Sequence, residues 1–264
     1  MPHSLLDWLR IADTLGLALV AVRLLVGGLF RVYPAFCAHA ILESVIAGAS
    51  FAIPTASLLY ARLFMMASPL RWALWVAIAW EMYNTALRPY KPFLTAGRWV
   101  LKVGFLAALI PIAFTISSDF SHVGPALKLL PIIFLAERTL TAVLAVLILA
   151  LCAFLAWFLI PTRRNCAYIC MGFGLIFAAR SAAFSVRNAV GPKAAQMTNT
   201  ATLATSAAVF LIWAFLLNRT GEQKTAFVGR RPSTGEAEVA IRRLHELSGP
   251  LRGTPPPRSP GAKT

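Results

Sequence analysis

Long apolar segments alternate with short polar ones along the first 218 residues of the chain. Each apolar segment runs for about 20 residues, which at 1.5 Å per residue lets a helix cross the roughly 30 Å hydrocarbon core of a bilayer. The pattern predicts an all-α fold, a polytopic bundle of seven transmembrane helices in one domain, residues 1–218. The predicted spans are residues 12–32, 35–58, 69–88, 98–117, 138–160, 166–187 and 199–218.

Proline marks most of the predicted span ends, because it lacks the backbone N–H that a helix interior needs. Pro54 and Pro111 instead fall inside spans, where neighbouring helices can satisfy the freed carbonyl groups. The stretch between Asp119 and Arg138 leaves two alternatives open. It is apolar but contains Pro131, so it is either an interfacial segment or an early start to the fifth span. The prolines expected at or between spans are Pro34, Pro69, Pro89, Pro92, Pro125, Pro161 and Pro192.

The composition supports a membrane protein. Hydrophobic residues make up 58% of the chain and charged residues 13%, whereas soluble domains carry about 25% charged residues. The N-terminus has two aspartates and no basic stretch before an apolar core, so we expect no cleaved signal peptide.

The net charge of +15 does not indicate nucleic-acid binding. Nine of the 25 lysines and arginines follow Leu217, and most others lie at span ends without interleaved stacking aromatics. Anionic headgroups and membrane insertion favour such a distribution. With the C-terminus inside, cytoplasmic segments hold 10 basic residues and outer segments 6, which favours an outside N-terminus.

Residues 219–264 form a basic, polar tail that we expect to be cytoplasmic. Ser233 and Glu236 have capping-box spacing, which predicts a short amphipathic helix at about residues 235–248. Such a helix would lie on anionic lipid or on a cytoplasmic protein partner. The Pro-rich end of the tail is typical of disorder.

Ionisable residues inside the predicted spans are the candidate functional groups. Counted from the predicted span ends, five of those in spans one to four fall about 6–14 Å from the inner boundary. We therefore predict a polar cluster in the inner half of the bundle, with Arg23, Glu43 and Glu81 at its centre and His39 and Lys102 nearer the cytoplasm.

Several interpretations of this cluster stay open. A buried ion pair can fix helix register without further function, whereas intramembrane carboxylates and histidines often mark a solute or proton pathway. Lys102 suits snorkelling best. His39, Glu43 and Glu81 include two ligand types that a metal accepts, but the spacing is weak and no metal is predicted.

The sixth and seventh spans add three further expectations. Arg180 either faces an anion or snorkels outward with Arg187. Thr198, Thr202 and Ser206 follow one another at four-residue spacing, which favours a closely packed, central helix. The chain's thiols are predicted to be reduced, small apolar packers rather than zinc ligands; they are Cys37, Cys152, Cys166 and Cys170.

No nucleophile elbow, metalloprotease motif or phosphate loop occurs in the sequence, and the last span lacks the lysine that a retinal protein needs. No cofactor is predicted. These absences favour a non-enzymatic membrane protein that binds or senses a molecule and relays this to a cytoplasmic partner through the tail. The alternatives are a proton-coupled or ion carrier using the polar cluster, and a membrane enzyme using His39.

Four stretches carry a family resemblance: YPAF at 33–36, WEMYNTAL at 80–87, GRW at 97–99 and FLLNRTGEQKTAFVG at 215–229. Through them the chain resembles a family of seven-helix integral membrane proteins, uncharacterised in function, that is abundant in acidobacterial genomes. Its pattern of glutamate, apolar residue and tyrosine in the third span maps to Glu81, Met82 and Tyr83. The resemblance implies seven helices in a bacterial inner membrane and supplies no activity.

Overall fold

The computed structural model of the chain describes residues 5–53, 57–119 and 129–226. Within these ranges the chain forms seven α-helices, so the all-α prediction is confirmed. The helices are α1 (Leu5–Val26), α2 (Pro34–Ala52), α3 (Leu58–Leu87), α4 (Lys91–Asp119), α5 (Leu129–Trp157), α6 (Arg164–Val190) and α7 (Ala195–Leu216).

Five of these helices are long and apolar enough to cross a membrane, namely α2, α3, α5, α6 and α7. The chain therefore has the character of a multi-pass membrane protein. Helix α1 is not among the five, and it carries four charged side chains along its 22 residues. They are Asp7, Arg10, Asp13 and Arg23.

Several predicted helix ends were wrong. Helix α3 begins at Leu58, where the Ser57 hydroxyl accepts a hydrogen bond from the Tyr60 N–H (3.1 Å), so Pro69 lies inside the helix rather than at its start. Helix α2 ends at Ala52, before Pro54, because Ile53 is extended. The span boundaries were predicted from hydrophobicity alone. The actual helix ends depend also on capping groups and local backbone conformation.

The alternatives for the fifth span resolve in favour of an early start. Helix α5 begins at Leu129 and continues through Pro131 to Trp157, so no break separates this stretch from the span. Residues 120–128 lie outside the described residues.

Side-chain contacts show that consecutive helices run antiparallel, whereas the first and last run parallel. Asp13 of α1 contacts Ser206 of α7, Gly16 lies against Phe210, and Arg23 contacts the end of α7. We call the end of the bundle that holds the start of α1 the N-face. The opposite end, where α7 finishes, is the C-face.

Aromatic side chains fill the centre of the bundle. Phe36, Trp75, Phe173, Phe177 and Trp213 are all buried, and their rings meet mostly edge-to-face or tilted at centroid distances of 5.0–5.6 Å. Such offset geometries are favoured by the ring quadrupoles. This aromatic core separates the N-face from the C-face.

The C-face is closed by residues 218–226, which we call the C-terminal clasp. Its strand β2 (Thr225–Ala226) pairs antiparallel with β1 (Thr162–Arg163), which precedes α6. Buried Asn165 donates one hydrogen bond to the Asn218 carbonyl and one to Glu222 Oε1, each 2.8 Å long. The clasp belongs to the bundle, so the bundle extends beyond the predicted boundary at residue 218. The rest of the predicted tail, including the helix at 235–248, lies outside the described residues.

Candidate functional site

A charged cavity of about 410 Å³ lies among the helices at the N-face. Six helices line it: α1, α2, α3, α5, α6 and α7. Four arginines and three carboxylates face it, so its lining carries a formal charge of +1. These side chains are Arg10, Arg71, Arg180, Arg187, Asp13, Glu43 and Glu137.

Glu43 of α2 forms an ion pair with Arg71 of α3, and both residues line the cavity. Arg71 Nε lies 2.5 Å from Glu43 Oε1, and both side chains are largely buried. His39, one turn earlier on α2, has its Nδ1 3.9 Å from the same oxygen, which is beyond hydrogen-bond distance. The predicted neighbours His39 and Glu43 are thus together, but the arginine paired with Glu43 is Arg71 rather than Arg23.

Asp13 of α1 is hydrogen-bonded to a side chain of α7. The Ser206 hydroxyl donates a 2.5 Å hydrogen bond to Asp13 Oδ1. The small polar face predicted on α7 lines the cavity with Thr202 and Ser206. The close approach of α1 to α7 lies one turn further along, where Gly16 packs against Phe210 and Leu211. Thr198 is buried at the N-face end of the same row.

Arg180 and Arg187 of α6 both line the cavity. Arg180 lies 3.7 Å from Glu137 Oε1 and stacks over the Trp75 ring at 5.3 Å. Arg187 donates to the Thr198 hydroxyl (2.9 Å) and to the Asn199 side-chain oxygen. Arg187 therefore has neutral partners, although it borders three carboxylates in the same cavity.

The pairing of charges is uneven along the cavity. Within the described part of the chain, Glu43 is matched by Arg71 and Glu137 by Arg180, whereas neither Arg10 nor Arg187 has a carboxylate within 4.0 Å. Both of these arginines lie at the outer rim of the N-face. The rim is therefore a region of uncompensated positive charge, which attracts anions.

A smaller chamber of about 50 Å³ continues the cavity toward the aromatic core. It shares Asp13, Glu43 and Arg180 with the larger cavity, and His39 and Phe173 lie deeper in it. His39 is only 5% exposed and its Nδ1 has no hydrogen-bond partner among the described residues. This chamber is the innermost polar point of the site.

Glu81 does not belong to the cavity, which corrects the predicted cluster. Its two carboxylate oxygens accept hydrogen bonds from the backbone N–H groups of Ala35 (3.3 Å) and Phe36 (3.2 Å). These are free donors of the first turn of α2, so the carboxylate satisfies a helix N-terminus. Glu43 lies eight residues after Ala35 in α2, which places it about 12 Å further from the C-face. The two acids therefore lie at different depths.

Arg23 and Lys102 are also separate from the other predicted cluster members. Arg23 is exposed and donates to the carbonyls of Leu217 (2.6 Å) and Phe215 (3.3 Å) at the end of α7. A basic group at a helix C-terminus stabilises the free carbonyls there. Lys102 is exposed, with its Nζ 5.9 Å from the centroid of the Trp99 ring.

The cavity residues that sequence reasoning missed are Arg10, Asp13, Arg71 and Glu137. Arg10 and Arg71 were counted among the outer basic residues, because Arg10 precedes predicted span one and Arg71 lies at the outer end of predicted span three. The available signal was the spacing of Arg10 and Asp13, which places both on one face of α1.

All four cysteines are free thiols. The described residues contain no group of three potential metal-ligating side chains.

Comparison of the chain with known protein families, curated proteins and solved structures gave no match in any of the three. The resemblance to the acidobacterial membrane family therefore stays a prediction.

Proposed function

We propose that this protein lies in the bacterial inner membrane, binds a small anionic solute in the N-face cavity and relays its binding to a cytoplasmic partner. The supporting observation is the cavity itself, in which four arginines outnumber three carboxylates. An ionisable group inside a membrane-spanning bundle costs about 2.5–3.5 kcal/mol on insertion scales. The presence of seven such groups in one cavity favours a role in ligand binding over a purely structural role in packing.

The proposed topology has seven membrane crossings, with the N-terminus outside. Helices α1 and α4 join the five apolar helices as spans, because α1 directs Asp13 toward α7 and the cavity rather than toward lipid. In this orientation the N-face cavity receives its solute from the outer side. The C-terminal clasp and the basic tail then lie in the cytoplasm, as the distribution of lysine and arginine favours.

The relay part of the proposal rests on α6, which connects the cavity with the C-terminal clasp. Arg180 lines the cavity and Asn165 is hydrogen-bonded to the clasp. They are 15 positions apart in one continuous helix, a distance of about 22 Å. A small shift of α6 against α7 would therefore move both the cavity residue Arg180 and the contact of Asn165 with the clasp. The partner would be a cytoplasmic protein or anionic lipid that contacts residues 219–264.

A carrier is the second candidate, and the inner chamber favours it because the chamber continues the cavity toward the C-face. Phe173 and Phe210 line this chamber where it meets the aromatic core. A carrier would have to open this floor during each cycle, whereas a receptor would not. Uptake of labelled butyrate into proteoliposomes distinguishes the two functions, because only a carrier accumulates it.

The proposal is tested by titrating butyrate and inorganic phosphate into the full-length protein in nanodiscs. We expect Arg187→Gln to weaken binding about 10-fold or more, because it removes a charged donor from the cavity rim. Arg62→Gln is the matched control: it removes the same charge from an exposed position near the start of α3 that does not line the cavity. Equal binding by wild type and Arg187→Gln would contradict the proposal.

A further inference from the structure

The inner chamber and the cavity rim carry opposite uncompensated charges. At the rim, Arg10 and Arg187 have no carboxylate within 4.0 Å among the described residues. In the chamber, Asp13 likewise has no basic group at that distance within the described ranges, and it accepts a hydrogen bond from the neutral Ser206 hydroxyl. The site therefore has positive charge outside and negative charge inside.

The other charges near the chamber do not cancel this arrangement. The charge of Glu43 is matched by Arg71 at 2.5 Å, and that of Arg180 by Glu137 at 3.7 Å. Asp13 thus remains the one carboxylate of the chamber without a basic group within 4.0 Å in the described part of the chain, although Arg180 lines the same chamber.

Two further features of the chamber suit a cationic donor. His39 is 5% exposed, and its Nδ1, which lines the chamber wall, has no hydrogen-bond partner within the described ranges. Trp75, Phe173 and Phe177 supply aromatic walls, whose faces attract cations. An ammonium group entering the chamber would reach an acceptor, a carboxylate and aromatic faces together.

The chamber's volume limits the group that enters it. A water molecule needs roughly 10–15 Å³ of such space, so about 50 Å³ holds a primary ammonium group and little more. A bulky quaternary ammonium group is too large.

We propose that the ligand is a zwitterion: its primary ammonium group enters the inner chamber against Asp13 and His39, while its anionic group binds Arg187 and Arg10 at the rim. This inference rests on the proposed function, since it assigns a second contact to a solute already bound by the arginines. Small amino acids with separated charges are the corresponding chemical class.

Three probes with the same four-carbon skeleton test the inference: 4-aminobutyrate carries both charges, butyrate only the anion and butylamine only the cation. We expect the full-length protein in nanodiscs to bind 4-aminobutyrate at least about 10-fold more tightly than butyrate, and butylamine most weakly. Equal binding of 4-aminobutyrate and butyrate, both dependent on Arg187, would overturn the zwitterion and leave the proposed function standing. Binding of none of the three up to about 10 mM, or binding unaffected by Arg187→Gln, would overturn both.

Variants of the chamber give the second arm of the test. Asp13→Asn should reduce the preference for 4-aminobutyrate over butyrate to about 2-fold or less, while butyrate binding is kept. Asp7→Asn makes the same change on the same helix outside both cavities and should keep the preference. If Asp13→Asn fails to fold, His39→Leu removes the unpartnered acceptor and should also lower the preference. A preference unchanged in every folded chamber variant would refute the inference.

Discussion

Glu81 provides the sharpest test of the structure, because two accounts of it predict different outcomes. If Glu81 were the partner of Arg23, removing both charges would restore much of the stability that either single change loses. In the structure, Glu81 instead accepts hydrogen bonds from Ala35 and Phe36, and Arg23 donates to carbonyls of α7. The two side chains should therefore contribute independently.

The size of the Glu81 effect follows from its two hydrogen bonds. A hydrogen bond to a charged group contributes about 1.5–3 kcal/mol, and a carboxylate at a helix N-terminus adds about 0.3–1 kcal/mol. Distances of 3.2 and 3.3 Å place these bonds at the lower end. We expect Glu81→Gln, which keeps one oxygen acceptor, to lose about 1 kcal/mol, and Glu81→Ala to lose about 2–3 kcal/mol.

The assay is equilibrium unfolding of the detergent-purified protein as wild type, Glu81→Gln, Arg23→Gln and the double variant. Independent sites add within about 0.3–0.5 kcal/mol. We therefore expect a coupling free energy below about 0.5 kcal/mol. A coupling above about 1 kcal/mol, with the double variant more stable than the additive sum, would refute the helix-capping account and restore the ion pair.

Three further variants probe the packing, the cavity and the clasp. Gly172→Ala should lose about 1–3 kcal/mol of unfolding free energy, since its Cβ would lie 2.4 Å from the Trp213 ring. Glu43→Gln should lose about 2–3 kcal/mol in the same assay by stranding Arg71, and adding Arg71→Met should recover most of it. Asn165→Ala should speed tryptic cleavage within the C-terminal clasp, because it removes two hydrogen bonds to that segment.

The packing variant and the clasp variant each have a matched control. Gly48→Ala, in a helix with open space around the new Cβ, should be neutral or stabilise by up to about 1 kcal/mol. Asn84→Ala removes an asparagine that bonds only to the exposed Arg98 side chain among its recorded contacts, and should leave clasp cleavage unchanged. A Gly172→Ala protein as stable as wild type would contradict the tight packing of α6 on α7.

The helical fold could be predicted from the sequence because each membrane helix is determined by a short, continuous segment of the chain. Each needs about 20 apolar residues, and its backbone hydrogen bonds lie within the segment. The end of each helix was harder to predict. Pro69 was read as a boundary, although it lies within α3, because neighbouring helices can satisfy the groups that an internal proline frees.

The site could be predicted only in part, because it depends on contacts between distant segments. His39 and Glu43 were recognised as polar residues on one helix face, yet the partner of Glu43, Arg71 of α3, was counted only as an outer basic residue at the end of a span. Glu81 was placed near the other acids by counting residues along each span. No pattern in the sequence reveals that its partners are backbone N–H groups of another helix.

The parallel pairing of α1 with α7 has a consequence for the synthesis of the protein. Asp13 meets its hydroxyl partner Ser206 only after 193 further residues have been translated. At about 5–20 residues per second, α1 in the proposed seven-span topology waits roughly 10–40 s in the membrane before Ser206 is made. The last helix to be made thus completes the environment of the first. Nascent chains that stop before α7 would expose intramembrane charge and become substrates for membrane proteases.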